Sequence, residues 1–169
     1  MKRLILVRHA KSSWKNPGLK DFARPLNGRG KQNAPMMGKR LLGSGILPEV
    51  VVSSPAKRAW STARLIASEI HFKEENLIAD PEVYEADVDT LMEIIGNFSG
   101  DWQDVMLVGH NPGLTDLAEM LTDQAFGNLP TCAICCIEFA AENWLEISHG
   151  SGRVYHYDYP KSIPVDSNS

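Results

Sequence analysis

The sequence predicts an α/β fold built on a largely parallel sheet, on three observations. Residues 4–7 (Leu-Ile-Leu-Val), 50–52 (Val-Val-Val) and 105–108 (Val-Met-Leu-Val) are short apolar runs, the pattern of strands buried on both faces. Amphipathic stretches of helical period follow at 28–42, 55–70, 88–98 and 112–121. Finally, each run stops abruptly in polar residues: Arg8-His9 after the first, Ser53-Ser54-Pro55 and then Arg58 after the second, Gly109-His110-Asn111 after the third. Ligands of open α/β sheets bind beyond the carboxyl ends of the strands, so these polar residues stand where such a sheet keeps its chemistry.

The bulk numbers fit one domain. A chain of 169 residues, 43% hydrophobic and 22% charged, can bury an adequate core, and a single domain over residues 1–160 followed by a polar tail at 161–169 is expected. A formal charge of −4 argues against a nucleic-acid binder, which needs a surplus of clustered Lys and Arg. Any anion site must be local. Four apolar residues after Met1-Lys2-Arg3 are too few for a signal peptide, and no segment approaches transmembrane length; the expectation is a cytoplasmic protein with no membrane partner. Cys132, Cys135 and Cys136 crowd into one apolar stretch, an odd number without a second Cys-x-x-Cys pair, and read as buried thiols rather than a disulfide framework or zinc site.

In chain order, residues 12–18 are turn formers and make a loop over the carboxyl edge of the sheet, whose Ser, Trp and Asn side chains can line a pocket. Asn27 is placed to cap a helix running to about residue 42, closed by Gly43, Gly45 and Pro48. Ser54 as cap and Pro55 as first helical residue put Arg58 in the first turn of the next helix, which ends near Ile70 with His71 as a structural residue at its carboxyl end. Residues 77–79 form a strand or an extended piece. An amphipathic helix covers 88–98, with Asp87 and Asp89 as helix-start carboxylates. Asn111 and Pro112 then cap and start a helix carrying Leu114, Leu117, Ala118 and Leu121. Residues 132–139 and 153–159 read as two further strands, with room for a short one at 145–147; His149 and His156 fit no metal-ligand spacing and read as surface or edge residues.

Taken singly, Arg8-His9 can be a polar strand end, and Arg58 a solvated helical arginine. Together, two arginines, two histidines and two helix amino termini at one sheet edge suit a doubly charged tetrahedral anion. No Gly-x-x-x-x-Gly-Lys-Ser/Thr loop and no Gly-x-Ser-x-Gly elbow is present, which argues against an NTPase or an α/β-hydrolase. Histidine, with an ordinary pKa of about 6.5, is the best phosphorus nucleophile in the set, so covalent catalysis by His9 is the expectation.

The stretch Leu6-Val7-Arg8-His9-Ala10-Lys11-Ser12-Ser13-Trp14 resembles the Arg-His-Gly motif of the histidine phosphatase (phosphoglycerate-mutase-like) superfamily, with Ala10 in place of the usual glycine. Arg24-Pro25-Leu26-Asn27-Gly28-Arg29-Gly30, Ser53-Ser54-Pro55-Ala56-Lys57-Arg58 and Val108-Gly109-His110-Asn111-Pro112-Gly113 resemble its later motifs, in order. The short length, the opening motif and Tyr84-Glu85-Ala86 are similar to its SixA-type phosphohistidine phosphatases. The resemblance implies a three-layer α/β/α sandwich with a mostly parallel central sheet. It further implies a phosphoryl pocket of Arg8, His9, Arg58 and His110, a phosphohistidine intermediate on His9, charge stabilisation by Arg8, Arg58 and His110, and no metal or other cofactor. Glu85 stands near the position of the carboxylate that protonates the leaving oxygen in some members, and is either that acid or a helix-start carboxylate. The expected substrate is a phosphorylated partner protein bearing phosphohistidine, such as a histidine-phosphotransfer domain. The alternatives are a small phosphoester or a non-catalytic role in binding phosphate.

Overall fold

The computed structural model of the protein describes residues 1–162. Six strands, β1 (Lys2–Arg8), β2 (Val50–Ser53), β3 (Leu77–Ala79), β4 (Asp104–Gly109), β5 (Ile134–Phe139) and β6 (Gly152–Asp158), form one sheet in the order β3-β2-β4-β1-β5-β6. The first four in that order are parallel, while β5 runs antiparallel to both β1 and β6. Four helices flank the sheet: α1 (Gly28–Ser44), α2 (Lys57–Glu69), α3 (Val88–Gly96) and α4 (Gly113–Thr122).

The period-2 alternation of β1 sorts the core into two layers. Leu4 and Leu6 face α3 and α4, packing with Leu91, Ile95, Leu114 and Leu117. Ile5 and Val7 face the other way, onto Met37 of α1 and Ala63 and Ile66 of α2. All four strand residues are fully buried, each worth roughly 1.5–3 kcal/mol of apolar burial as an upper bound. The three-layer sandwich therefore follows from one strand being apolar on both faces. Cys135 and Cys136 split in the same way between the two layers, and all three cysteines are buried and free.

Neighbouring strands β1 and β4 lead into helices on opposite faces, α1 and α4. A crevice opens at the carboxyl ends of strands where the connections diverge in this way. The register pairs Arg8 with Gly109, so the residues that follow, His9 and His110, leave the sheet side by side.

Several local expectations shift. Helix α2 begins at Lys57 with Ala56 at the cap position and no side-chain cap, because the Ser54 hydroxyl is turned to the Ala56 N–H at 3.2 Å and to His110. Helix α4 begins at Gly113, with Pro112 at the cap position, yet Asn111 still serves it: its Oδ1 accepts from the Thr115 N–H at 3.2 Å and hydroxyl at 2.9 Å. The short strand expected at 145–147 is instead a 3-10 turn, Trp144–Glu146, because the Asn143 side chain accepts the Leu145 N–H at 3.0 Å and curls the backbone. Residues 77–79 are a true strand, at the sheet edge. The polar tail lies, beyond Ser162, outside the described residues.

Gly113 shows how tightly the turn before α3 is wedged against α4: a Cβ there would stand 2.1 Å from the Ala86 carbonyl oxygen. Gly113→Ala is expected to cost about 1–3 kcal/mol, lowering the melting temperature by roughly 2–12 °C in a chain of this size. Gly100→Ala, with nothing within 4 Å of the added carbon, serves as the control and should leave the melting temperature within about 2 °C; equal shifts for the two variants would contradict the packing.

Candidate active site

At the carboxyl edge of β1, β2 and β4 lies a cavity of about 500 Å³ lined by Arg8, His9, Arg58 and His110, with Ser12, Trp14, Arg24 and Asn111 among its other walls. Both histidines and Arg58 are buried. The structure thus brings together four of the five candidates. Glu85 is exposed, at a positive φ of 56° in the turn before α3, and is not among the lining residues.

His9 emerges where β1 ends, its backbone N–H donating to the Gly109 carbonyl at 3.0 Å. Its Nδ1 stands 2.7 Å from the Ala10 carbonyl oxygen. A carbonyl only accepts, so Nδ1 carries the hydrogen and the neutral ring keeps its lone pair on Nε2. Ala10 is held in turn by Thr62 of α2, whose hydroxyl accepts the Ala10 N–H at 2.9 Å and donates to the Arg58 carbonyl at 2.7 Å. The loop that follows β1 and the helix that carries Arg58 are tied together through one buried hydroxyl.

The His110 ring lies 5.2 Å from that of His9, centroid to centroid. Its Nε2 meets the Ser54 hydroxyl at 2.8 Å, while its Nδ1 is buried without a partner. Burial pushes His9 down to about 4, with the cations of Arg58, Arg8 and Arg24 adding to the effect against the Ala10 bond. Burial likewise pushes His110 down to about 3, helped by His9 and Arg58. Both imidazoles are neutral near pH 7.

The two arginines are clamped from behind. Arg8 donates through Nη1 to the Leu129 carbonyl at 2.8 Å. Arg58 donates to the Asp21 carbonyl at 2.8 Å and to its Oδ2 at 3.0 Å. In both, Nε is buried and unpartnered. Of the four buried side-chain polar atoms without a partner among the described residues, three, Arg8 Nε, Arg58 Nε and His110 Nδ1, belong to residues lining this one cavity.

Sequence reasoning missed the group that holds Arg58. Asp21, in a 3-10 turn at Asp21–Ala23, also accepts from Arg24 Nε at 3.2 Å and from the Tyr84 hydroxyl at 2.6 Å. The Tyr84 bond, followed by Arg58 and Arg24, holds the Asp21 carboxyl down at about 2, against a smaller opposing effect of burial. Arg24 is buried, donates to Ser12 Oγ at 2.6 Å and lies 3.6 Å under the Trp14 ring. Arg24 and Tyr84 each stand in a stretch that carries the family resemblance, Arg24-Pro25-Leu26-Asn27 and Tyr84-Glu85-Ala86, whereas Asp21 has no such signal. Among the described residues, no group of three or more His, Cys, Asp or Glu side chains is placed to share an ion.

Residues 4–104 match the profile of the histidine phosphatase superfamily, branch 1. The chain belongs to that superfamily. The match ends at the first residue of β4, so His110 is placed beside His9 by the structure rather than by that profile. An uncharacterised chloroplast protein of Arabidopsis thaliana is 32% identical over 159 residues, 89% of this chain and 72% of its own length. A mitochondrial serine/threonine-protein phosphatase, Pgam5 of Drosophila sechellia, is 35% identical over 77 residues, 46% of this chain and 26% of that one. Among solved structures, the protein histidine phosphatase SixA complexed with tungstate superposes with a TM-score of 0.79 at 20% identity, covering 94% of this chain and 97% of that one. A protein classed as a phosphohistidine phosphatase SixA from Agrobacterium tumefaciens superposes at 0.78 with 24% identity, covering 94% and 98%. The fold is the phosphoglycerate-mutase-like α/β sandwich of the SixA-type proteins, and family and fold together support phosphatase activity. No helix among the described residues is long and apolar enough to cross a membrane.

Two expectations follow from this geometry. Folding lowers the proton affinity of His9 and His110 to about 4 and 3 from about 6.5 in the unfolded chain, so unfolding takes up protons below neutrality. Stability is complete above about pH 7 and falls as the pH drops from about 6.5 towards 4; melting temperatures across that range should decline, and decline less in His9→Gln. Asp21→Asn, which keeps the shape of the side chain but removes the charge facing Arg58, should lower kcat by roughly three- to tenfold through a loosened guanidinium. Unchanged steady-state rates in that variant would show that Arg58 needs no such partner.

Proposed function

We propose that this chain is a phosphatase working through a phosphohistidine intermediate on His9, and that its substrate is a phosphohistidine side chain of a partner protein. The observation that carries the reading is the cavity itself: three of its lining residues, Arg8, Arg58 and His110, each keep a buried ring or guanidine nitrogen without a partner, and they share the cavity with a neutral His9 whose Nδ1 is already engaged. Buried polar groups are otherwise almost always satisfied, and a tetrahedral dianion supplies oxygens for all three. The tungstate carried by the SixA structure of the same fold is such an anion.

In the proposed mechanism the phosphoryl oxygens are held by Arg8 Nε and Arg58 Nε. His110 donates through Nδ1, which carries the hydrogen once the Ser54 hydroxyl donates to Nε2. His9 Nε2 attacks phosphorus in line, a new P–N bond forms, and the P–N bond to the substrate breaks with its electron pair going to the departing ring. A leaving imidazole whose distal nitrogen already carries a proton departs neutral, so no acid is needed, in contrast to an alkoxide. Water then attacks phosphorus, releasing inorganic phosphate and neutral His9. In this reading Glu85, exposed and outside the cavity lining, is dispensable. A protein substrate is supported by the mouth, where exposed Lys11, Trp14 and Lys15 stand on the rim and an indole that is 76% exposed offers contact area to a partner surface.

Brief incubation with labelled phosphoramidate, followed by acid and alkali, tests the intermediate: the label should be acid-labile, alkali-stable and absent from His9→Ala, whose turnover should fall at least about a thousandfold. Turnover by His9→Ala at the parent rate would falsify the mechanism. The substrate class is read from Glu85→Gln, expected within about twofold of the parent on a phosphohistidine peptide. Slowing confined to an alkyl phosphate, with no hydrolysis of the peptide, would instead support a small-phosphoester enzyme, and binding of phosphate without turnover of either a non-catalytic module.

A further inference from the structure

A second concavity of about 200 Å³ adjoins the first and shares Lys11 and Thr131 with it. Its other walls include Arg29 and Asn33 from the first turns of α1, and Tyr159 and Lys161 from the segment after β6. Each wall is held in place. The Lys11 carbonyl accepts the Asn27 N–H at 2.9 Å, and Gly30 lets the start of α1 come so close that an added Cβ would lie 2.2 Å from that carbonyl oxygen. Arg40 pins the C-terminal segment by donating to Asp158 Oδ1 at 3.2 Å, the Tyr159 carbonyl at 3.1 Å and the Pro160 carbonyl at 3.3 Å.

The charge here runs against that of the whole chain. Lys11, Arg29 and Lys161 converge on one small cavity in a protein of net charge −4. Among the described residues none of the three has a carboxylate oxygen within 4 Å. The carboxylate on the C-terminal wall, Asp158, is already paired with Arg40. All three are exposed, so solvent screens their mutual repulsion, but an anion seated in this cavity meets cations from three separate segments of the chain. The Asn33 side chain and the Thr131 hydroxyl add neutral hydrogen-bonding groups suited to a carboxylate.

We infer that this second cavity is a specificity subsite that receives an acidic side chain, Asp or Glu, standing close to the phosphorylated histidine of the substrate protein. The inference rests on the phosphohistidine reading above and adds a sequence preference to it. Lys11, common to both cavities, faces both anions, so the subsite and the phosphoryl pocket engage one continuous acidic stretch of the partner.

The test compares two histidine peptides phosphorylated with phosphoramidate, identical except that glutamates within three residues of the phosphohistidine in one are glutamines in the other. The acidic peptide should have a kcat/KM about five- to tenfold higher at low salt, mainly through KM, and lose that advantage as salt screens it. Arg29→Gln combined with Lys161→Gln should bring the two peptides within about twofold, while turnover of phosphoramidate itself, which has no second charge to offer, stays at the parent value. Equal rates on both peptides in the parent enzyme, or an acidic preference that survives the double substitution, would overturn the subsite and leave the phosphohistidine reading standing. Hydrolysis of neither peptide by an enzyme that still turns over phosphoramidate would overturn both. A preference for hexane-1,6-diol bisphosphate over its monophosphate, lost in the double variant and unmatched by any peptide preference, would assign the cavity to a small bisphosphate and overturn the acidic side chain.

Discussion

The parallel ladder between β1 and β4 is the constraint from which the site follows. With Leu4 opposite Val105 and Arg8 opposite Gly109, the two strands end level, and the next residue of each is a histidine. A shift of one residue would send the Leu4 and Leu6 side chains to the face now occupied by Ile5 and Val7, where α1 and α2 are packed, and would pull the rings apart along the strand by about 3.3 Å. Because both faces of β1 are buried without remainder, packing fixes the register and the register fixes the spacing of the chemistry. Hydrophobic burial thus enforces a polar geometry that the polar residues, repelled by one another's charge and stripped of water, do not favour by themselves.

That opposition shows in the electrostatics. Arg8, Arg58, His9 and His110, with Arg24, Lys11 and Lys15 beside them, meet in one depression. Both histidines give up their proton, chiefly because they are buried and further because cations stand near them, whereas an arginine cannot. The arginines are compensated from outside the cavity, Arg58 by the Asp21 carboxylate and Arg8 by a carbonyl dipole. Asp21 is partly exposed, with 42% of its side chain accessible, so solvent shares in holding its charge. Burying the counter-charge less deeply than the cation leaves Nε of Arg58 without a partner on the cavity side of that pair.

Much of this was legible in the sequence, for a physical reason. Strands buried on both faces leave unbroken apolar runs, and an open α/β sheet binds at their carboxyl ends, so Arg8, His9 and His110 were located by where apolar character stops. Arg58 was located by helix-start chemistry, although the particular cap was misread. Ser54 has the identity of a capping residue, but its hydroxyl is engaged by His110, a residue 56 positions away that no local rule brings near. The same holds for the Asp21, Arg24 and Tyr84 cluster, which joins one short turn to a tyrosine 63 positions away. Thr62 has the helical spacing of a residue one turn after Arg58, but only the fold shows that it also catches the Ala10 N–H. At 145–147 an apolar pattern too short to establish a period lost to the side chain of Asn143.

The bond from Arg8 to the Leu129 carbonyl spans 121 positions of the chain. It couples the end of β1 to a loop synthesised 121 residues later. A nascent or half-folded chain therefore carries its histidine without a guanidinium aimed at it, and without the burial that keeps the ring neutral. Long-range pairings of this kind close late, since the loop entropy must be lost before the contact can offset it. The cavity at the carboxyl edge is therefore assembled with the last long-range contacts rather than with the first strand.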